Sequence, residues 1–329
     1  MQTAVVVTYK CNARCEMCYI WRYPSRTRDE IRPSRLASLP SNQRLIVISG
    51  GEPTLRRDLV DLVEVLYEKT ARLQLISNGT FPGKLLALAK AYPRMSFRLS
   101  IDGIGERHNE IRGIKNGYNK CLEAIQGLKE LGINDVGIAM TVSDKNADDL
   151  LPLYKQATEL GVDFSQSAPH NSHYFHKHDN AIQDMTLWER RLLEFSRQLL
   201  LSSRASVRLR AKDWVRAYMT QGYLSHAQTG IRPLPCEGAA EFCTVDPFGN
   251  VLPCNGMNSE MPLGNLNEQT FEEIWNSKRA DEVRDFVHSC ENCWMVCNCA
   301  PSIRRHPLAV ASWVLRNKVR ASLGMELRP

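Results

Sequence analysis

Over roughly the first 165 residues, short apolar runs alternate with stretches of helical periodicity. The apolar runs are Ala4 to Thr8, Leu45 to Ser49, Leu73 to Ser77, Phe97 to Ile101, Val136 to Thr141 and Val162 to Ser167. Most are rich in Val, Ile and Leu with little alternation, which predicts strands covered on both faces. Helical patterns fall between them at Leu55 to Lys69, Lys84 to Ala91, Asn119 to Leu131 and Asp148 to Leu160. Leu59, Leu62, Val63, Leu66 and Tyr67 trace one apolar stripe on the first of these. Such β-α alternation predicts a parallel sheet with right-handed crossovers. Six strands predict a partial (β/α)6 TIM-like barrel, with functional groups at the carboxyl ends of its strands.

The pattern changes after Ser167. His170 to Asn180 is a polar loop carrying His170, His173, His176 and His178. Its histidines are placed to orient a polar substrate or act as a general base, or simply to be solvated. Two helical stretches follow, Leu187 to Leu201 and Lys212 to Tyr218. From Cys236 to Cys299 come seven cysteines with Gly and Pro between them. That segment has too little periodicity for much core, so metal coordination would supply stability there. The expected division is a barrel with its following helices over 1–225, a small cysteine-rich domain over 230–303, and a basic C-terminal helix over 304–329. Trp313, Leu315, Val319 and Leu323, with Arg304, Arg305, Arg316, Lys318 and Arg320, make that last helix amphipathic. Such a helix suits a membrane surface or a partner, or else docks on the barrel.

Composition narrows the chemistry. The net charge is only +6, too little for a broad nucleic-acid surface. No export signal and no membrane-spanning run is visible, so a cytoplasmic location is expected. The eleven cysteines are an odd number without a secretory context, which favours metal ligation or catalysis over disulfides.

Cys11, Cys15 and Cys18 stand in a Cys-x3-Cys-x2-Cys spacing after the first strand. Three thiolates on one loop can hold three irons of a four-iron cluster and leave the fourth open. The alternatives are buried cysteines or zinc, for which no fourth ligand follows soon. Ser49-Gly50-Gly51-Glu52-Pro53 follows the second strand. Its glycines admit close backbone approach, and Glu52 can accept from an ammonium group.

With these two motifs the chain resembles the radical S-adenosylmethionine (SAM) superfamily. The resemblance implies a [4Fe–4S] cluster on Cys11, Cys15 and Cys18, with SAM chelating the open iron. It implies that Tyr19 packs near the adenine and that Gly50, Gly51, Glu52 and Pro53 receive the methionyl amine. Ser100 and Asp102, ending the fourth strand, lie where relatives contact the ribose. Arg112, in His108 to Gly113, looks like the residue that meets the methionyl carboxylate. Asn78, in Ser77-Asn78-Gly79-Thr80, lines the same cavity or makes a turn.

The C-terminal cysteines resemble the auxiliary-cluster extension of these enzymes, SPASM in its two-cluster form and Twitch in its one-cluster form. Cys236, Gly249 and Cys254 match, Asp246 to Asn250 predicts a hairpin turn with Cys254 on the return strand, and Phe271 to Phe286 is the expected helix. Cys290, Cys293 and Cys299 match the start of the two-cluster pattern, but Ile303 stands where its next cysteine belongs. The resemblance therefore implies one auxiliary [4Fe–4S] cluster on Cys236, Cys254, Cys290 and Cys293, a zinc knuckle being the alternative. Cys243, Cys297 and Cys299 are then spare; Cys243 is the candidate hydrogen-atom donor to a substrate radical.

The expected activity is reductive cleavage of SAM to a 5′-deoxyadenosyl radical, which takes a hydrogen atom from a substrate. The first expectation for that substrate is a small polar metabolite, oxidised or epimerised, of sugar or aminocyclitol type. The alternatives are peptide or protein maturation, and a non-catalytic iron–sulfur redox or sensor protein. An electron donor such as flavodoxin or ferredoxin is implied.

Overall fold

The computed structural model describes residues 1–257 and 260–328. Among the described residues, nine strands form one sheet in the order β6-β5-β4-β3-β2-β1-β7-β8-β9. The first six are β1 (Gln2–Val6), β2 (Leu45–Ser49), β3 (Leu73–Ser77), β4 (Ser96–Ser100), β5 (Val136–Thr141) and β6 (Asp163–Ser167). Each pairs in parallel with the next. The apolar runs therefore mark all six strands, displaced by at most two residues. β1 and β4 are buried at every position, as expected of strands covered on both faces.

Helices α1 (Pro33–Leu36), α2 (Leu59–Tyr67), α3 (Pro82–Ala91), α4 (Glu106–Arg112), α5 (Gly117–Glu130) and α6 (Leu150–Glu159) make the crossovers. Leu59, Leu62, Val63 and Leu66 of α2 are buried against the sheet. The expected helix at Leu55 starts later, because Pro53–Leu55 form a separate short turn. Arg112 is the last residue of α4, not a helix start. Gly113 follows it at φ 57°, a left-handed C-cap that glycine adopts without a Cβ penalty.

Two long helices follow, α7 (Met185–Leu200) and α8 (Val207–Thr229). The short helix expected at Lys212 to Tyr218 is thus only the middle of α8. Its ends carry too little apolar periodicity to be recognised: Val207 is exposed, and Arg208 and His226 bond the carbonyls of Asn134 and Glu291. Its middle is tied by charge as well. Asp163, at the start of β6, contacts Arg98 at 3.0 Å, Lys212 at 2.7 Å and Arg216 at 2.7 Å. Asp135, just before β5, contacts Arg98 and Arg72, both at 2.8 Å. This network pins α8 across the amino ends of β4, β5 and β6.

The cysteine-rich segment is not a detached knuckle. β7 (Phe242–Val245) pairs in parallel with β1, and β8 (Asn250–Leu252) returns antiparallel to it, followed by β9 (Gly264–Asn265). The hairpin at Asp246 to Asn250 is present. Cys254 lies two residues beyond the return strand, where Pro253 interrupts it. The helix expected over Phe271 to Phe286 is two, α9 (Phe271–Trp275) and α10 (Lys278–His288). Ser277 caps α10 by accepting from the Ala280 amide, which breaks the run. α11 (Val296–Arg305) and α12 (Pro307–Ser322) complete the described chain. Pro307 opens α12, so the basic stretch from 304 is divided between two helices.

Burial alone would raise the Asp163 carboxyl, but Arg216, Arg98 and Lys212 outweigh it and hold the group well below the usual carboxylate range. The network thus stabilises the fold above about pH 4 and loses its contribution as the pH falls below that. Asp163→Asn leaves three cations around a neutral group. It should cost about 3–5 kcal/mol in urea unfolding at pH 7, with the gap to wild type narrowing toward pH 3.

Candidate active site

The carboxyl ends of β1 to β6 converge on the loop that follows β1. Three anchors shape that loop. Thr8 and Ser25 both donate to the buried Glu30 carboxylate, at 2.5 and 2.6 Å. The amides of Arg14 and Glu16 donate to the carbonyls of Arg112 and Ile111 at the end of α4, at 2.9 and 3.0 Å. The amides of Gly51 and Glu52 donate to Thr8 and Lys10 carbonyls, both at 2.8 Å. Cys11, Cys15 and Cys18 then share a small apolar cluster with Ala13, Met17 and Ile114.

The glycines of the second motif are needed for this contact as well as for any ligand. A Cβ on Gly50 would lie 2.6 Å from the Thr8 carbonyl oxygen. One on Gly51 would strike the Lys10 carbonyl and lie 2.9 Å from Cys11 Cβ. Glu52 is fully buried, and its carboxylate is already well supplied with donors. Oε1 accepts from Thr54 N, Thr54 Oγ1 and Ser77 Oγ at 3.1, 2.6 and 2.9 Å, and Oε2 accepts from Asn78 N at 2.7 Å. Glu52 thereby caps that turn, and Pro53, buried, opens it. Asn78 also donates to Asn12 Oδ1 at 2.9 Å, which ties β3 to the cysteine loop. Asn12 carries no signal of its own in the sequence beyond its place between two cysteines.

Asp102 is fully buried at the end of β4, just past Ser100, which is itself buried. It accepts from Thr141 N at 2.7 Å and pairs with Arg112 Nε at 2.7 Å. Arg112 therefore already has a carboxylate partner in the protein. Its Nη1 lies 3.9 Å from Cys15 Sγ, which puts the guanidinium between Asp102 and the triad. His108 accepts from the Asp102 amide; burial and the neighbouring Arg112 lower its pKa to about 3, so it stays neutral.

A cavity of about 540 Å³ opens beside Cys15, lined among others by Met17, Tyr19, Ile111, Thr141 and Ser143. That volume lies within the usual range for small-molecule and cofactor sites. The loop 170–180 closes one side of it. Phe175 O accepts from Tyr19 N at 2.9 Å, Asn180 donates to Met17 O at 3.2 Å, and Lys177 Nζ sits 3.9 Å from the Tyr19 ring centroid. Tyr174 donates to Gly50 O at 3.3 Å. His170 and His173 tie the loop to Gly256 O and Glu260, each at 2.8 Å. His176 stacks on Tyr23, and His178 is exposed. Tyr174 carries no local sequence signal that distinguishes it among the histidines.

The second cysteine set gathers around the turn after β8. Gly256 N donates to Cys254 Sγ at 3.4 Å, and Asn298 Nδ2 to Cys293 Sγ at 3.0 Å. A Cβ on Gly256 would lie 3.0 Å from Cys293 Sγ. Cys236 and Cys290 flank them from the segment before β7 and the end of α10. Cys297 lies in the same neighbourhood, its thiol donating to Asn255 Oδ1 at 3.1 Å. Cys299 is buried in the main core. Cys243 corrects an expectation. It is buried inside β7 beside Thr3, its Sγ 3.6 Å from Thr3 Oγ1, on the amino-terminal side of the sheet. A hydrogen donor must reach the substrate, and this thiol packs the sheet instead.

All eleven cysteines are free thiols. Burial raises Cys11 and Cys18 to about 12 and pushes Cys254 well up, so metal loading must displace protons. Among the described residues, no three His, Cys, Asp or Glu side chains close on one point as a single metal ion needs. Two groups of soft thiols on apolar, glycine-lined turns suit iron–sulfur clusters, whose thiolates each reach a different iron.

Comparisons with known proteins agree with this geometry. Residues 5–157 match the model of the radical SAM superfamily, and residues 236–294 that of SPASM, an iron–sulfur cluster-binding domain. The chain is 24% identical over 297 residues to pre-heme d1 synthase of Dinoroseobacter shibae, covering 82% of this chain and 71% of that protein. It is 29% identical over 325 residues to PqqA peptide cyclase of Gluconobacter oxydans, covering 91% and 86%. The structure of native anSMEcpe with bound AdoMet and Cp18Cys peptide superposes with a TM-score of 0.63 at 17% identity, covering 96% of this chain and 99% of that one; at that identity the likeness is one of fold.

Gly51→Ala should displace the cysteine loop and cost at least about 1–3 kcal/mol by overpacking. Gly83→Ala, where a Cβ meets nothing within 4 Å, should be neutral or stabilising by up to about 1 kcal/mol. Thermal unfolding of the two variants checks the contrast.

Proposed function

The chain carries a radical SAM domain and a SPASM domain, with SAM and two [4Fe–4S] clusters as the implied cofactors, and we propose that it matures a peptide substrate by radical chemistry. The observation that carries this reading is the likeness to a peptide cyclase along 91% of the chain. The sugar or aminocyclitol expectation has no comparable support, and the motif at Gly50 to Pro53 counts against a purely redox or sensor role.

In this reading Cys11, Cys15 and Cys18 hold the first cluster, and Cys236, Cys254, Cys290 and Cys293 the second. The first cluster would supply, when bound, the electron for reductive cleavage of SAM into methionine and the 5′-deoxyadenosyl radical. Gly50 to Pro53 present backbone to the methionyl amine, while Glu52 keeps that strip rigid through its four donors. Arg112, held by Asp102 through Nε, keeps its Nη edge for the methionyl carboxylate, a bidentate use of the guanidinium. Tyr19, Thr141 and Ser143 line the space for the nucleoside. Ser100 and Asn78 stand behind it and fix the ends of β4 and β3. The loop 170–180 excludes water from the side of the site it covers, which protects a reactive radical. An electron donor of flavodoxin or ferredoxin type completes the system.

Anaerobically reconstituted protein with a strong reductant should convert SAM to 5′-deoxyadenosine, and alanine at Cys11, Cys15 and Cys18 together should abolish it. A peptide substrate should raise the rate and gain a cross-link or lose hydrogen by mass spectrometry. Stimulation by a porphyrin and by no peptide would reject the peptide reading while leaving the radical chemistry intact.

Iron content tests the ligand sets separately. Wild type should bind about eight irons, and the triple variant about four. Cys290→Ala with Cys293→Ala should lose the other four and lower the thermal midpoint. Cys297→Ala and Cys299→Ala should leave the count unchanged; loss of a cluster in either would reassign the second set.

A further inference from the structure

α12 has two apolar faces. One is docked: Val310, Trp313, Val314 and Ala321 are buried, with Trp313 edge-on to Tyr218 of α8 at 5.5 Å. The other is bare. Leu308 is 84% exposed, Leu315 66%, Val319 60%, and Leu323 at the C-cap 67%. At 3.6 residues per turn these four fall within an arc of roughly 80°. Aliphatic side chains so exposed, aligned over four turns, are more than the scattered apolar residues of an ordinary surface.

Cations border this stripe. Arg316 and Arg320 lie along one edge. Lys318 lies along the other, its Nζ 3.8 Å from the Trp214 ring centroid. Arg316 and Arg320 bond only backbone carbonyls, of Ser312 and Glu326. Among the described residues none of the three has a carboxylate partner. Arg305, on the preceding helix, does not belong to this set, because Glu237 and Glu241 already neutralise it. From 307 to 328 the only acid is Glu326.

We propose that α12 lies flat on an anionic lipid surface, with Leu308, Leu315, Val319 and Leu323 in the acyl boundary and Arg316, Lys318 and Arg320 at the headgroups. Three observations select this occupant. A second copy of the chain would bring like charges together along both edges of the stripe, with too few acids to offset them. α12 itself has 16 residues, about 24 Å, and among the described residues no helix is long and apolar enough to cross a membrane. Aliphatic side chains flanked by long basic ones are the arrangement that an in-plane interfacial helix requires, the charged heads reaching out while the stems stay with the apolar face. This inference is independent of the substrate reading and puts the catalytic domain at a membrane whatever its substrate.

The test is co-sedimentation of the full chain with vesicles. Wild type should pellet with vesicles of phosphatidylglycerol and phosphatidylcholine and not with phosphatidylcholine alone, and high salt should release it. Arg316→Gln with Arg320→Gln should weaken partitioning about fivefold for each charge removed, or about 25-fold together. Leu315→Ser with Val319→Ser should abolish pelleting while iron content and thermal midpoint stay at wild-type values, because both side chains are exposed. The proposal is overturned if wild type stays in solution with anionic vesicles at low salt, or if the serine variant pellets as well as wild type. Retention of wild type on an acidic protein without vesicle binding would likewise overturn it and assign the stripe to a protein partner.

Discussion

A buried carboxylate holds the active end of this molecule together. Glu52 lies out of contact with solvent, and burial favours its neutral form. Four donors from Thr54, Ser77 and Asn78 offset that cost. Because those donors come from the turn after β2 and from the end of β3, the carboxylate fixes the two segments relative to each other. Asn78 extends the tie to Asn12 inside the cysteine loop, and Gly51 lets the Glu52 segment lie directly against that loop. The cysteine triad is thus positioned by the second strand's turn as much as by its own sequence.

The two ends of the sheet divide the work. At the amino ends, Asp135 and Asp163 gather Arg72, Arg98, Lys212 and Arg216 into one network that secures α8. At the carboxyl ends, Asp102 and Arg112 form a single pair directed at Cys15. The first cluster of charges is closed on itself and serves stability. The second leaves Arg112 Nη1 3.9 Å from Cys15 Sγ, at the edge of the cysteine loop. This polarity is the general habit of βα barrels, whose bottoms stabilise and whose tops react.

Pairing of β7 with β1 joins the two cysteine sets through one strand. β1 leads into the triad, and β7 with β8 leads into Cys254, so the same backbone ladder sets the relative place of both. The loop 170–180 adds a second link, touching Tyr19, Met17 and Gly50 on one side and Gly256, Met257 and Glu260 on the other. A displacement of either cysteine set would therefore strain the other through the sheet and through this loop.

The six parallel strands were legible because buried strands need unbroken Val, Ile and Leu, and that need is local. The triad and the Gly-Gly-Glu-Pro turn were legible because spacing within a short loop is itself the signal. What the sequence left open depends on partners distant in the chain. The sequence marks Arg112 as a carboxylate partner but not that Asp102 already pairs with it and that Cys15 lies on its other side. Cys243 looked available until β7 was found paired with β1, with its thiol against Thr3. α8 looks like a fragment in the sequence because its ends are held through Arg208 and His226 to the backbone carbonyls of Asn134 and Glu291, 74 and 65 positions away, contacts that leave no periodic trace. Composition determined that thiols would do chemistry here; only the paired sheet decided which of them face a cavity and which fill the core.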